Sequence, residues 1–296
     1  MIKQLKQLKQ LASPTTYAGV GLAGTGLAVN AATSSAANNR LRDLHTKLSA
    51  IAEKNKDYEV PDDLYNDLRD RLGLKTPYRK LTQEEAEMFG AVNNAFYLPK
   101  ASVKQLIDGG YEKLTDDINL KDIQDTGIVM TSPGMHTPDI VSHELGHGHD
   151  DSINGLYDRS KTPGAVKLGG LATLLAPLTA IGLRKLGLKH LPTAAITAGT
   201  VAVPTGIGLN KHWNEIIADE ADANKFAEQA LSEVADKYKD QLPPDIMTGG
   251  FREARETALD TYRTAKKSYL GNLVGSTLFS IGAGTLGLKH LSKLKV

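Results

Sequence analysis

Three observations predict a mainly α chain that carries a small β component and about four Gly- and Ala-rich apolar helices. Residues 10–39, 191–210 and 268–288 contain no Asp, Glu, Lys or Arg, and 168–183 forms a shorter gap of the same kind. The intervening polar segments repeat apolar residues at helical spacing and carry helix start and stop signals. A single β-branched run, 126–132, ends at Pro133-Gly134 and predicts a strand. The composition narrows the function classes. With 35 Lys and Arg against 34 Asp and Glu, the chain of 296 residues has a net charge of +1 and no overall pull toward nucleic acid. With 41% hydrophobic residues it can bury a core, and with no cysteine it has no disulfide, thiolate metal cluster or cysteine nucleophile. Any metal must be held by His, Asp or Glu.

Along the chain, Lys3, Lys6 and Lys9 precede the first uncharged run, so segment 1–39 reads as an anchor or, with Val29-Asn-Ala31 as a small-residue site, a signal peptide. In segment 40–164, Leu41, Leu44, Leu48 and Ile51 share one helical face. Pro61 opens a helix that Gly73 closes, and Thr82 with Glu85 forms a capping box. The strand at 126–132 follows, and then Thr137 caps a helix that Pro138 begins. Segment 165–210 reads as an apolar helical hairpin. Segment 211–267 holds a long acid-rich helix stopped by Pro243-Pro244, then a second polar helix from Phe251 that runs into the last apolar segment, 268–296.

A helix needs about 20 apolar residues to cross a bilayer core. By length, the uncharged runs are expected to be transmembrane helices, and Gly271-Asn-Leu-Val-Gly275 supplies a close-packing motif that suits helix-mediated self-association. Arg184, Lys185 and Lys189, and Lys289, Lys293 and Lys295, then fall on the same side as the basic N-terminus. The expectation is a multi-pass membrane protein in contact with lipid, its catalytic segments on the side opposite the basic termini. Leu186-Gly-Leu-Lys-His-Leu191 recurs as Leu286-Gly-Leu-Lys-His-Leu291, which matching basic helix ends explain without a repeat architecture.

The chemistry concentrates in His143-Glu144-Leu145-Gly146-His147. On a helix, His143 and His147 lie one turn apart on one face, so both imidazoles can reach one Zn²⁺, and Glu144 can reach the water without being a ligand. His149 lies some 200° round the helix from His147 and is expected at the surface or behind the site. A catalytic zinc needs a third protein ligand, and a third His six residues on is absent, because residue 153 is Ile. The acidic helix offers Glu215, followed by Asp219, and Glu220, followed by Asn224; in each pair the second residue is placed to orient an imidazole. The two glutamates lie about 140° apart round the helix, so only one is a ligand. Glu220 is favoured because Ala223, Asn224 and Ala227 share its face and permit close approach to the motif helix; Glu215 is the alternative.

With these residues the chain resembles the gluzincins, HExxH metallopeptidases with a downstream Glu ligand. It resembles most their membrane-bound branch, which includes the prenyl-protein endopeptidase and the bacterial heat-shock membrane protease. The likeness rests on the spelling HELGH, on two apolar segments between it and the acidic element, and on Asn94-Ala-Phe-Tyr-Leu-Pro99 before it. It covers residues 94–230 in pieces. The branch's usual ExxAD fits Glu215 and Asp219, whereas the ExxANxFA form of related soluble gluzincins fits Glu220, Asn224, Phe226 and Ala227. The resemblance implies a zincin-like α+β catalytic core with a small sheet, a Zn²⁺ cofactor and a peptide or protein substrate. It also implies that the strand at 126–132 is an edge strand that pairs with the substrate backbone. For an oxyanion donor, Tyr157, His212, Arg252, Arg255 and Tyr262 are all available. A reading of another class, a structural or lytic membrane or virion protein with a vestigial or structural metal site, is opposed by the intact Glu144. A soluble regulatory gluzincin with a Gly-rich core is a third.

Overall fold

A computed structural model describes residues 14–54, 61–115, 117–153, 164–238, 240–241 and 250–291. Eight helices and five strands follow in the order α1 (Pro14–Lys54), α2 (Asp62–Arg71), β1 (Tyr78–Lys80), α3 (Gln83–Met88), β2 (Ala95–Leu98), α4 (Lys100–Asp108), β3 (Lys113–Thr115), β4 (Ile118–Asn119), β5 (Ile128–Thr131), α5 (Pro138–Ile153), α6 (Gly164–Lys185), α7 (His190–Tyr238) and α8 (Gly250–Leu291). Local signals set several of these ends. Pro61 precedes α2, Gly73 follows it at φ 61°, and Thr82 and Glu85 complete both bonds of the capping box of α3. The uncharged run 191–210 and the acid-rich segment after it form one helix of 49 residues, α7, because no helix stop lies between them. The Pro243-Pro244 stop lies outside the described residues, as do Lys3, Lys6, Lys9, Lys293 and Lys295.

The membrane expectation is overturned. Among the described residues, no helix is long and apolar enough to cross a membrane. The four-span fold class and the multi-pass localisation therefore both fall. The reason is that a run without charge need not be apolar. Residues 191–210 hold four Thr, three Gly and two Pro beside six of Leu, Ile and Val; residues 268–288 hold five Gly, three Ser, two Thr and an Asn. Such residues contribute little to transfer into hydrocarbon, so length alone does not make a span.

The chain divides into two compact units. The first comprises residues 1–40, 159–214 and 263–296 and, by sequence, holds 17 Lys and Arg and no Asp or Glu. In it the first part of α1 runs antiparallel to α8. Their glycines let the two backbones meet: a Cβ on Gly26 would collide with the Gly275 carbonyl and the Phe279 amide, and one on Gly282 with Gly19 and Ala23. Polar bonds line the same seam, with Asn30 Nδ2 donating to Ser276 Oγ at 3.3 Å and Ser268 Oγ to the Thr33 carbonyl at 2.9 Å. Gly271 and Gly275 thus do bring helices together, within one chain.

The second unit comprises residues 41–158 and 215–262 and holds 18 Lys and Arg with all 34 acidic residues. Its three-stranded sheet has the order β1-β5-β2, with β1 parallel and β2 antiparallel to β5. The register sets Val129 against Tyr78 and Tyr97, and Met130 against Arg79 and Phe96. The strand within 126–132 is therefore central, which corrects its reading as an edge. All four of its residues are buried, because Val129 joins one core with Val141, Leu145, Leu64 and Val234 while Ile128 and Met130 join another with Val103 and Leu120. The edges belong to β1 and to β2, the strand that carries the Ala95–Leu98 part of the Asn94–Pro99 stretch.

Candidate metal centre

Helix α5 carries the HExxH residues and is fixed at both ends. At its start the Thr137 carbonyl accepts from the Val141 amide at 3.0 Å, and Pro138 occupies the first turn, where a missing N–H costs nothing. The expected side-chain cap is not made, since Thr137 Oγ1 is buried with no hydrogen-bond partner. At its other end Asp151 Oδ2 accepts from Tyr97 Oη at 2.8 Å and from the Lys100 amide at 3.3 Å, and the Asp151 carbonyl accepts from Lys100 Nζ at 2.7 Å. These bonds tie α5 to β2 and the start of α4. Burial pushes the Tyr97 hydroxyl pKa upward, with Asp151 adding to it, so it stays a donor.

Val141 and Leu145 point into the core, which turns His143 and His147 toward α7. Gly146 makes the approach possible. A Cβ there would lie 2.9 Å from Ala223 Cα and 3.1 Å from its carbonyl oxygen, closer than side chains tolerate. Ala223 and Ala227 are buried on the opposing helix, as the small-residue face predicts.

At this crossing His143, His147 and Glu220 each offer one ligand atom, and the three atoms lie within 4.8 Å of one another. Glu220 Oε2 stands 3.4 Å from His143 Nε2 and 3.8 Å from His147 Nε2, and the two rings meet edge to face at 4.8 Å between centroids. Ligands about 2.0–2.1 Å from a tetrahedral ion stand roughly 3.3 Å apart, so the spacing suits a small divalent cation held by two imidazoles and a carboxylate. The group can hold a metal ion. All three residues come from the second unit.

The surrounding charges set protonation. His147 Nδ1 faces Asp219 Oδ2 at 3.4 Å, an ion-pair contact without hydrogen-bond geometry that sets the carboxylate behind the imidazole. Burial lowers the His147 pKa, but Asp219, Glu144 and Glu220 together outweigh it and the net direction is upward. Glu144 is buried, and its charge is felt at His147. One turn before His143, Asp139 is buried and pairs with Arg255 Nη2 at 3.2 Å. Burial raises its pKa to about 6, more than Arg255 and His143 together lower it. Arg255 Nη1 also donates to the Asn224 carbonyl at 3.3 Å, so one guanidinium links α5, α7 and α8.

Glu220 joins the two histidines and Glu215 does not. Of the two residues placed to orient an imidazole, Asp219 faces His147, whereas Asn224 Oδ1 is buried with no hydrogen-bond partner. His149 packs its ring against Phe226 at 4.9 Å between centroids and is not one of the three residues of the metal group. Among the oxyanion candidates, Tyr157 lies outside the described residues and His212 belongs to the first unit. Arg252 is exposed and pairs with Glu256 at 3.5 Å, while Arg255 is engaged with Asp139. Sequence reasoning missed Asp139 and the trio of buried His136 and Thr131 with partly buried Tyr78, in which Tyr78 Oη bonds Thr131 Oγ1 at 3.0 Å and Thr131 bonds His136 Nδ1. Asp139 sits four residues before His143 on the same helical face, a spacing that signals it. Comparison with protein families, with curated proteins and with solved structures returns no match.

Proposed function

We propose that this chain is a zinc-dependent peptidase of gluzincin type. The reading rests on one juxtaposition: two imidazoles and a carboxylate converge while Glu144, the residue beside His143, is buried within electrostatic reach of His147. Two nitrogens and one oxygen are the donor set of a catalytic zinc site that keeps a position open, and Asp219 supplies the carboxylate such sites place behind an imidazole. A bound zinc would polarise a substrate carbonyl and bring water into nucleophilic range near neutral pH. Glu144 takes the proton of the attacking water and delivers it to the departing amine nitrogen, so one carboxylate serves as base and then as acid. Asp219 stands behind His147 and favours the tautomer that presents Nε2. The outer edge of β2, tied to α5 through Tyr97 and Lys100, is where an extended peptide can add as a further strand.

The deciding experiment measures bound zinc by elemental analysis and peptide hydrolysis on the same samples. Glu144→Gln is expected to keep zinc at wild-type stoichiometry and to lose about 10²-fold or more in kcat. Glu220→Ala is expected to lose zinc, and Glu215→Ala to keep it. Zinc retained by Glu220→Ala refutes the ligand set, and hydrolysis surviving Glu144→Gln refutes the base.

A further inference from the structure

The separation of α5 and α7 decides whether the metal group closes, because His143 and His147 come from the first helix and Glu220 from the second. Neither imidazole is held by a hydrogen bond at its Nδ1, so α5 itself carries both rings to their places. Ligand distances in a small-cation site hold to within about 0.2 Å, so a crossing that opens further weakens a ligand bond. At one point the two helices meet directly, Gly146 against Ala223.

They are also joined through a third helix. Arg255, on α8, pairs through Nη2 with Asp139 Oδ1 on α5 at 3.2 Å and donates from Nη1 to the Asn224 carbonyl on α7 at 3.3 Å. Asp139 stands one turn before His143, and Asn224 one turn after Glu220. The guanidinium therefore bridges the two ligand-bearing helices one turn away from a ligand on each. All of these residues belong to the same unit. The Arg255 and Asp139 side chains are only 11% and 7% exposed, so water and salt screen the pair weakly. Glu228 Oε1, 3.9 Å from Nη2, belongs to an exposed side chain and adds little. Arginine suits such a bridge because its donors lie in one rigid plane and can hold two acceptors at a fixed separation, which an ammonium on a flexible stem cannot.

We propose that Arg255 is a positioning residue of the metal centre, holding α5 and α7 at the separation that brings Glu220 to His143 and His147. Its bonds go to Asp139 and Asn224, so it acts on the ligands through the helices that carry them. Stability alone does not call for this pair, since an apolar pair of similar volume replaces a buried ion pair without loss. What the apolar pair lacks is the fixed link between a carboxylate on one helix and a carbonyl on the other. The inference rests on the metal group and not on peptide hydrolysis.

Zinc affinity by chelator competition and the visible absorption of the Co²⁺-loaded full chain test it. Arg255→Lys keeps the charge beside Asp139 but gives up the planar fork. Asp139→Leu combined with Arg255→Met removes both charges together. Neither alters the net charge near the ligands, so a change in affinity reports geometry. Both are expected to weaken zinc about 10- to 100-fold and to change the Co²⁺ bands, which follow coordination geometry. Arg252→Gln, on the same helix but exposed and paired with Glu256, is expected to match the wild type in both measurements. The lysine variant provides the test if the apolar pair does not fold. A folded Arg255→Lys protein with wild-type zinc affinity, or with the wild-type Co²⁺ spectrum, would overturn the proposal. So would an equal loss in Arg252→Gln, which would make the effect a general one of α8. A wild-type chain that binds neither ion would overturn the metal group itself and this inference with it.

Discussion

Asp219 stands one residue before Glu220 rather than four after it, yet its carboxylate faces His147 Nδ1 at 3.4 Å. If it fixes the tautomer of that ligand, Asp219→Ala should lower zinc affinity about 10- to 100-fold in a chelator competition while the zinc stoichiometry at saturation stays unchanged. Unaltered affinity would make Asp219 a bystander. Asp139 carries a separate consequence for pH. Its folded pKa of about 6 lies above the ordinary aspartate value because burial outweighs the attraction of Arg255. A raised acid favours folding when protonated, so its contribution is whole below about pH 4 and is lost as pH rises through 6. Relative to Asp139→Asn, the wild-type protein should therefore lose about 3 kcal/mol of stability between pH 4 and pH 7, measured by urea unfolding with chelator present throughout. Parallel stability profiles for the two proteins would show that Asp139 keeps an ordinary pKa in the folded chain.

The crossing of α5 and α7 is where elements become a site. Gly146→Ala would set its new carbon 2.9 Å from Ala223 Cα, a backbone atom that cannot rotate away, so the helices must separate. We expect a loss of about 1–3 kcal/mol in thermal unfolding together with weaker zinc binding, whereas Gly148→Ala, which meets the side chain of Thr76 at 3.3 Å, should disturb both less. Equal effects at the two positions would remove the close crossing from the account. What could be read in the sequence follows the same division between local and distant causes. The capping box at Thr82, the boundaries of α2 and the shared face of His143 and His147 are set within a turn or two of chain, and all were legible. Glu220 was favoured over Glu215 because small neighbours mark a face that packs closely, and it is Glu220 that stands with the two histidines. The role of Asp219 was only half legible, since it depends on how α7 is rotated against α5. The place of β5 at the centre of its sheet depends on two partners far away in sequence, which its own buried run cannot name. The membrane helices were misread for a different reason: charge was counted where apolarity was needed, and Thr, Gly and Ser satisfy the first without supplying the second.

At the scale of the whole chain, a net charge of +1 conceals a division that neither length nor average hydropathy shows. All 34 acidic residues fall in the unit that holds the metal group, against 18 Lys and Arg, while the other unit has 17 Lys and Arg and no acid. The basic unit therefore carries its positive charge without an opposing Asp or Glu side chain of its own. The acidic unit concentrates carboxylates around a centre suited to a divalent cation. Two fields of opposite sign on one chain behave differently from an even mixture of the same charges. A chain with a sequence pI of about 7.8 and well-mixed charges should be held weakly by either kind of ion exchanger at pH 7. This protein should instead be retained by both an anion and a cation exchanger in about 20 mM salt. It should leave each by a few hundred millimolar, where the Debye length falls well below 10 Å and the fields are screened. Unretained passage through either resin would show that the opposite charges neutralise one another at the protein surface, and the segregated field would then be a property of the sequence alone. Retention by both, lost from the cation exchanger first when Lys and Arg of the basic unit are replaced by Gln, would locate the positive field where the composition puts it.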